Sequence, residues 1–154
     1  MTLNVDLGAL DPKDRYKLLT AVVIPRPVAW VTTISDEGIE NAAPFSFFNL
    51  FGKDPALVAL GLEHHADGSP KDTTRIIRAG GEFVINIATT DLTVAMVGTA
   101  AHYAPTAGEP EALGLPTAPS AHIAPPRLAE VTVAIDCRRN VAMTYSPERE
   151  IVIG

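Results

Sequence analysis

The sequence predicts a mainly β fold: a small antiparallel barrel, Greek-key-like, with short helices inserted between its strands. Short runs of β-branched and aromatic residues recur along the chain, and turn signals of Gly, Pro and Asp separate them. Helix signals cover only brief stretches, and closing such strands into a barrel removes exposed strand edges. The length of 154 residues suits one compact core. We therefore expect residues 1–154 to form a single domain.

The composition narrows the classes of function that are open to the chain. Hydrophobic residues make up 47% of it, which is typical of a soluble globular protein. The net charge is −6 and no basic run occurs, so the sequence lacks the clustered positive charge that is typical of nucleic-acid-binding proteins. No apolar run is long enough to span a membrane, and the N-terminus lacks a signal-peptide pattern. With Cys137 as the single cysteine, no internal disulfide forms, and we expect a cytoplasmic protein.

The N-terminal third predicts one helix followed by one hairpin. Asp11 caps the helix, which ends before Pro25. Residues 28–34 form a strand, and residues 35–38 form a tight turn. Residues 28–47 together are expected to make an antiparallel hairpin. The expected inner face of the helix consists of Tyr16, Leu19, Thr20 and Val23.

The middle of the chain predicts two strands and two short helices. Residues 56–62 form an apolar strand, which we expect to be buried on both faces. Asp72 caps a short helix whose inner side carries Ile76 and Ile77. Residues 82–88 form the next strand. A second short helix follows, capped by Thr90 or Asp91, with a buried side of Leu92, Ala95 and Met96.

The C-terminal third combines a Pro-rich segment with three further strands. Residues 104–126 are rich in Pro, Ala and Gly and are not expected to hold regular structure for long. Strands follow at 131–137, 141–145 and 150–153, so we prefer a long loop within one domain over a linker. A loop of that length is usually functional or covers something. The sequence stops at Gly154 inside a strand-to-strand connection, and we expect a truncated domain or closure by a partner.

Residues 41–49, Asn-Ala-Ala-Pro-Phe-Ser-Phe-Phe-Asn, are the most informative stretch of the chain. Phenylalanine offers a face on which a flat ring stacks, while Asn and Ser offer short donors and acceptors. Pro44 forces the segment to a sheet edge or a bend. On a strand, Ser46 faces opposite to both neighbouring phenylalanines, which would pack into the barrel or a partner subunit. The segment indicates a wall for a planar, polar-edged ring; a strand end with a hydrophobic plug is the alternative.

Residues 71–74, Lys-Asp-Thr-Thr, form the second informative stretch. A helix N-terminus offers free N–H groups and a positive dipole end, both of which suit a phosphate. Lys71 adds a charge, and the threonine hydroxyls add donors. The alternative is a capped surface helix with solvated charges.

Metal binding and acid–base catalysis have little support in the sequence. His64 and His65 are adjacent, so on a strand they point apart, and no Cys or carboxylate set accompanies them. Glu109 and Glu111 lie in the Pro-rich segment, which is a poor platform for paired-carboxylate catalysis. We therefore expect no metal site and assign no catalytic side chain.

Five blocks of sequence occur in a recognisable order. They are Arg-Pro-Val-Ala-Trp-Val-Thr-Thr at 26–33, the block at 41–49, Lys-Asp-Thr at 71–73, Glu-Phe-Val-Ile-Asn at 82–86 and Pro-Pro-Arg-Leu at 125–128. In this order they resemble the flavin reductase-like FMN-binding split-barrel family, from about residue 24 to residue 154. The resemblance implies a split β-barrel, usually a homodimer, with FMN near the subunit interface. It also implies hydride transfer from NAD(P)H to the flavin.

The resemblance carries specific residues with it. Position by position, it implies that the cofactor is bound by Thr32, Thr33, Asn41, Ala43, Pro44, Phe45, Ser46, Phe47, Asn49, Lys71, Asp72 and Thr73. Residues 41–49 would wall the isoalloxazine and ribityl chain, and residues 71–73 would approach the phosphate. Ile76 departs from the family pattern, which often has Asn there.

Three functional hypotheses follow from the resemblance. The first is an NAD(P)H-dependent FMN reductase-type enzyme that serves an oxygenase or another electron-acceptor protein. The second is a non-catalytic FMN electron-transfer protein. The third is a structural or regulatory split-barrel protein that has lost FMN.

Overall fold

The structure, a computed structural model, describes residues 2–65, 67–104, 106–147 and 149–154. Its strands are β1 Ala29–Ile34, β2 Glu40–Phe45, β3 Phe48–Lys53, β4 Ala56–Glu63, β5 Glu82–Ile87, β6 Thr117–Ala118, β7 Arg127–Leu128, β8 Val133–Arg138, β9 Val141–Ser146 and β10 Arg149–Ile153. Its α-helices are α1 Pro12–Val22, α2 Asp72–Gly80, α3 Thr93–Gly98 and α4 Glu109–Leu113. Short 3₁₀ turns occur at Leu7–Ala9 and Thr90–Leu92.

Two four-stranded antiparallel sheets form the body of the fold, in the orders β2-β1-β5-β8 and β3-β4-β10-β9. The chain crosses from the first sheet to the second at residues 46–47, between β2 and β3. The main core contains side chains from both sheets, including Val31, Leu60, Phe83 and Val152, all of them fully buried. The predicted mainly β class with short inserted helices is therefore confirmed.

Strand β1 is buried on both faces, whereas β4 is not. In β1, Val31 packs into the main core, while Trp30 joins a second cluster on the other face of the sheet. In β4 the buried positions alternate: Val58, Leu60 and Leu62 are buried and their neighbours are partly exposed. The expectation that residues 56–62 are buried on both faces is wrong, because only one face of this sheet meets the core.

Helix α1 begins as predicted but does not pack as predicted. The Asp11 carboxylate accepts hydrogen bonds from the N–H groups of Lys13 and Asp14, at 2.9 and 3.0 Å. The expected inner face is not buried, since Tyr16 is 46% exposed and Val23 is 57% exposed. The helix lies outside both core clusters, so its apolar positions are left at the surface of the chain.

Helix α2 differs from the prediction at its first residue. Lys71 is the N-cap and makes no capping hydrogen bond, and Asp72 is already inside the first turn. The Asp72 carboxylate instead accepts from Arg75 one turn later, at 3.0 Å. Ile76 and Ile77 are buried as expected, and the helix closes at Gly81, whose φ of +74° favours glycine.

The next helical stretch is also capped elsewhere than predicted. Thr89 precedes a 3₁₀ turn that contains both Thr90 and Asp91, and α3 follows directly. Neither predicted cap is at the N-cap position, because the chain enters the helix through this tighter turn. Leu92 is buried as predicted. Among the residues described, no helix is long and apolar enough to cross a membrane.

The Pro-rich segment is more regular than its composition indicates. It contains α4 and the strand β6, which pairs with β7. Gly108, just before α4, lies so close to β2 that a Cβ atom there would overlap the Glu40 carbonyl oxygen. Just after the C-terminal end of the Pro-rich segment, the backbone N–H of Leu128 donates to Oδ1 of the buried Asn86 at 2.9 Å. These contacts hold the segment against the first sheet and bring α4 beside β2.

Candidate functional site

A cavity of about 420 Å³ lies along β2. The start of α2 forms one wall, and the connection between α3 and α4 forms another. Two informative stretches of the sequence, residues 41–49 and 71–74, therefore meet at one place. The predicted residues that line the cavity are Asn41, Ala43, Pro44, Phe45, Lys71, Asp72 and Thr73.

A smaller cavity of about 140 Å³ adjoins the first and contains two more of the predicted residues, Ser46 and Phe47. Pro44, Phe45 and Lys71 line both cavities. Ser46 Oγ accepts from Arg26 Nε at 3.4 Å. The crossing between the two sheets, residues 46–47, therefore lines the smaller cavity.

Phe47 is 40% exposed rather than packed in the barrel. Its ring stands edge-on to Tyr16 of α1, with centroids 6.2 Å apart, and its backbone approaches Gly61 closely. Phe45 and Phe48, by contrast, pack against the main core. The expectation that the phenylalanines enter the barrel or a partner holds within this chain for these two only.

Three predicted residues do not line either cavity. Thr32 is fully buried on β1, where its hydroxyl donates to Pro126 O at 2.6 Å. Thr33 is also fully buried, and its hydroxyl has no hydrogen-bond partner among the described residues. Asn49 lies on the exposed part of β3 and its Oδ1 accepts from Leu50 N at 2.9 Å. Within this chain the structure therefore gives Thr32 a role in holding the Pro-rich segment.

The polar end of the cavity is built on the start of α2. The first intrahelical hydrogen bond runs from Arg75 N to Lys71 O at 2.9 Å. The N–H groups of the three residues between them have no acceptor within the helix. The side chain at the N-cap is a lysine that satisfies none of them. This helix start combines free donors, a positive dipole end and a cation, a combination that attracts an anion.

A buried carboxylate lies next to this helix start. Glu109, the first residue of α4, accepts from Ala42 N at 3.0 Å through Oε2. Asn41 lies between Glu109 and Thr73, and one orientation of its amide satisfies both neighbours. In that orientation Nδ2 donates to Glu109 Oε2 at 3.3 Å, and Oδ1 accepts from Thr73 Oγ1 at 2.9 Å.

The environment of Glu109 disfavours its charged form. Burial is the main cause that raises the pKa of the Glu109 carboxyl above its usual value, and the charge of Asp72 adds to it. The hydrogen bond from Ala42 N acts in the opposite direction. Glu109 therefore combines two features in one wall of the cavity, a raised pKa and a hydrogen-bond connection to Thr73.

Two histidines line the same cavity from different segments. His65 follows β4 and His102 follows α3, and their rings are 5.9 Å apart with a tilt of 30°. His64, the sequence neighbour of His65, points elsewhere: its Nδ1 lies 2.6 Å from Pro147 O. In the part of the chain that the structure describes, no group of three or more His, Cys, Asp and Glu side chains could hold a metal ion.

Sequence reasoning assigned no role at this site to several cavity residues. They are His65, Ser69, Thr99, His102, Tyr103 and Glu109. The sequence Gly-Glu-Pro at 108–110 is a signal for a helix start, and it could have drawn attention to Glu109. The histidines carried no such signal, because they are 37 positions apart in the sequence (102 minus 65) and only the packing of α3 brings them together.

Comparisons with known sequences agree with this architecture. The sequence model of the flavin reductase-like domain family matches residues 21–154. An uncharacterised protein of Deinococcus radiodurans is 38% identical over 98% of this chain and 68% of its own length. One of Halalkalibacterium halodurans is 38% identical over 90% of this chain and 65% of its own length. The chain thus spans about two thirds of the length of these relatives.

Solved structures show the same fold. Component B of nitrilotriacetate monooxygenase from Bacillus cereus has a TM-score of 0.93 and 35% identity, over 100% of this chain and 78% of that one. The 2-nitrobenzoate 2-nitroreductase of Pseudomonas fluorescens has a TM-score of 0.89 and 32% identity, over 99% and 73%. A split-barrel-domain protein of Shewanella frigidimarina shares the fold at 19% identity, with a TM-score of 0.83 over 96% and 73%. The chain therefore belongs to the flavin reductase-like domain family with a split-barrel fold, which implies a flavin cofactor and an oxidoreductase activity.

Proposed function

We propose that this protein is an FMN-binding oxidoreductase of the flavin reductase type that takes its electrons from NAD(P)H. The observation that carries the proposal is the uncapped start of α2, where Lys71 occupies the N-cap beside a cavity. A cation at the positive end of a helix is unfavourable on its own. A bound anion removes that cost and satisfies the free N–H groups. The phosphate of a flavin nucleotide is an anion of this kind.

The donor set along the cavity fits such a nucleotide. The polar groups of its lining include the Lys71 ammonium, the Thr73 hydroxyl and the free N–H groups at the start of α2. Its apolar lining includes the side chains of Ala43, Pro44 and Phe45. A ligand that carries both an anionic group and a flat ring matches this lining, and FMN is such a ligand.

The chain's own part in the reaction is to bind and orient. Lys71 and the start of α2 would hold the phosphate, and β2 would supply the wall for the ring. When bound, the flavin supplies the redox chemistry, accepting a hydride from the reduced nicotinamide. We assign no acid or base among the side chains, since hydride transfer of this kind does not require one. The imidazoles of His65 and His102 line the same cavity and would lie beside the bound ligand.

We also propose a homodimer and a partner protein that accepts electrons. Leu50 and Phe51 on β3 are 69% and 68% exposed, and large apolar side chains with this exposure favour burial against another subunit. The similar Bacillus cereus protein is a component of a monooxygenase, which supports an oxygenase as the acceptor. The proposed location is the cytoplasm, where a lone, reduced cysteine is ordinary. Light scattering that shows a monomer retaining FMN would contradict the dimer.

The test of the proposed function begins with the absorbance spectrum of the purified protein. A yellow protein, or one that binds added FMN as measured by quenching of flavin fluorescence, is the expected result. Oxidation of NADH and NADPH is then followed in the presence of added FMN and in the absence of oxygen. Reduction of FMN by either nucleotide supports the enzyme. Tight FMN binding without any reduction would instead identify a non-catalytic electron-transfer protein, and no flavin binding would refute the proposal.

A further inference from the structure

We propose that Glu109 is a proton-linked positioning residue for the phosphate end of the site: phosphate binds tightly when Glu109 is neutral and weakly when it is charged. The inference rests on the proposed function, because it concerns the same cavity and assumes a phosphate at the start of α2. It assigns a role to a buried carboxyl that binding and hydride transfer leave unused. It also predicts which form of the protein an anionic ligand selects.

The first step is the position of the carboxyl. Glu109 is buried at 9% exposure, yet it lines the same cavity as Lys71 and Thr73. Its Oε2 accepts from Ala42 N at 3.0 Å, which anchors it to β2. A buried carboxylate and a phosphate that face one cavity repel each other more strongly than they would in water. Binding of the phosphate therefore favours the protonated acid.

The second step is the hydrogen-bond chain from Glu109 to Thr73. A charged Glu109 holds Asn41 with Nδ2 toward Oε2, at 3.3 Å, so that Oδ1 faces Thr73 Oγ1 at 2.9 Å. The proton of the Thr73 hydroxyl then points to Asn41. Asn41 is the only hydrogen-bond partner of this hydroxyl among the residues that the structure describes.

The third step is what a phosphate requires of that hydroxyl. Fully ionised phosphate oxygens only accept hydrogen bonds, so Thr73 contributes to binding only when its proton turns toward the cavity. Turning it costs little at Asn41, because Oδ1 also accepts from Ala42 N at 3.2 Å in this orientation. A neutral Glu109 polarises the Asn41 amide less than a carboxylate does. Asn41 Oδ1 therefore holds the proton of the Thr73 hydroxyl less strongly. Charge repulsion and the hydrogen-bond chain thus act in the same direction.

The sign of the linkage follows from these steps. The pKa of free Glu109 is already raised by burial, and a bound phosphate raises it further. Affinity for the phosphate is therefore highest below the pKa of free Glu109. It falls as the pH rises through the pKa values of the free and the bound protein. A proton is taken up on binding between those two values.

Other ionisable groups face Glu109 and must be controlled for. Asp72 of α2 is paired with Arg75, and Glu40 of β2 accepts from Thr117 at 3.3 Å. Cations and further titratable groups reach the same space from the other walls. The groups that line the two cavities bordered by Glu109 are Glu40, His65, Lys71, Asp72, Arg75, His102 and Tyr103. All of these residues, and the ligand, are the same in the wild type and in a Glu109 variant, so the comparison tests for a pH dependence that requires the Glu109 carboxyl.

The experiment compares the wild type with Glu109→Gln. Dissociation constants for FMN and for riboflavin, which lacks the phosphate, are measured by fluorescence quenching from about pH 5 to about pH 8. We expect Glu109→Gln to bind FMN about tenfold more tightly than the wild type at the alkaline end, the scale of one charge-assisted hydrogen bond, and equally at the acid end. Riboflavin should show no such difference. Glu111→Gln, an exposed change in the same helix, should keep the wild-type pH profile.

The outcomes separate this inference from the proposed function. If the wild type binds FMN and Glu109→Gln shows the same pH profile for it, the role of Glu109 is refuted while the flavin site stands. If the wild type binds neither flavin, the proposed function fails first. Should the variant not fold, infrared difference spectra of the wild type decide. In the pH range where the FMN affinity of the wild type falls, FMN, and not riboflavin, should increase the carbonyl band of a protonated carboxylic acid, and bound FMN without that band throughout the pH series refutes the inference.

Discussion

Replacing Lys71 with asparagine should stabilise the protein and weaken its flavin site at the same time. Lys71 is the N-cap of α2 and makes no capping bond. Asparagine is among the best N-cap residues, and a good cap contributes about 1 kcal/mol. Removing a cation from the positive end of the helix adds about 0.3–1 kcal/mol. For a domain of this size, the sum of about 1.5 kcal/mol should raise the Tm by about 3–6 °C.

The same substitution removes the charge that would hold the phosphate. Loss of a charge-assisted hydrogen bond costs about 1–3 kcal/mol, so the Kd for FMN should rise about tenfold or more. Thermal unfolding without FMN and with a fixed excess of FMN measures both effects, because the stabilisation by a ligand grows with the logarithm of its concentration divided by its Kd. Lys53→Asn, at the end of β3 and outside both cavities, is the control and should change neither quantity. A Lys71→Asn protein that melts lower than the wild type without ligand, or that binds FMN equally well, would refute the reasoning.

Three further predictions concern packing and reactivity. Phe47→Ala should cost only about 1 kcal/mol of unfolding free energy because Phe47 is 40% exposed, whereas Phe83→Ala should cost about 3–5 kcal/mol; equal losses in urea denaturation would contradict this. Asn86→Leu should cost about 2–4 kcal/mol, since it leaves Leu128 N unpaired, and a neutral effect would show that the Pro-rich segment is held elsewhere. Burial raises the pKa of Cys137 to about 12, so mass spectrometry should detect maleimide on it only after unfolding, and rapid labelling of the native protein would be inconsistent with that burial.

Local rules predicted the elements that local interactions decide. The cap at Asp11 and the turn before β2 both follow from the conformations and hydrogen bonds of a few adjacent residues. The strand patterns placed β1, β5 and β8 to within a few residues. The resemblance assigns the block at 41–49 and the start of α2 to one cofactor, and residues of both stretches line one cavity.

The errors about β4, α1 and the Pro-rich segment share one physical cause, which is that packing depends on what lies opposite a residue. Residues 56–62 are apolar throughout, yet one face of β4 meets no core. The apolar face of α1 is present in the sequence, but apart from the contact of Tyr16 with Phe47 it lies outside the core formed by the described residues. The composition of the Pro-rich segment predicts a loop. It does not predict the contact that this segment makes with β2 at Gly108.

The sequence by itself determined the mainly β class, the family and the two stretches that meet at the cavity, because these are written in local patterns and in ordered blocks. Only the tertiary structure decided that the Thr32 hydroxyl donates to Pro126 O, and that Glu109 lies against Asn41. Residues 41 and 109 are far apart in the chain, and no rule based on neighbouring residues joins them. Their contact exists because α4 packs on β2, and packing is a property of the whole fold.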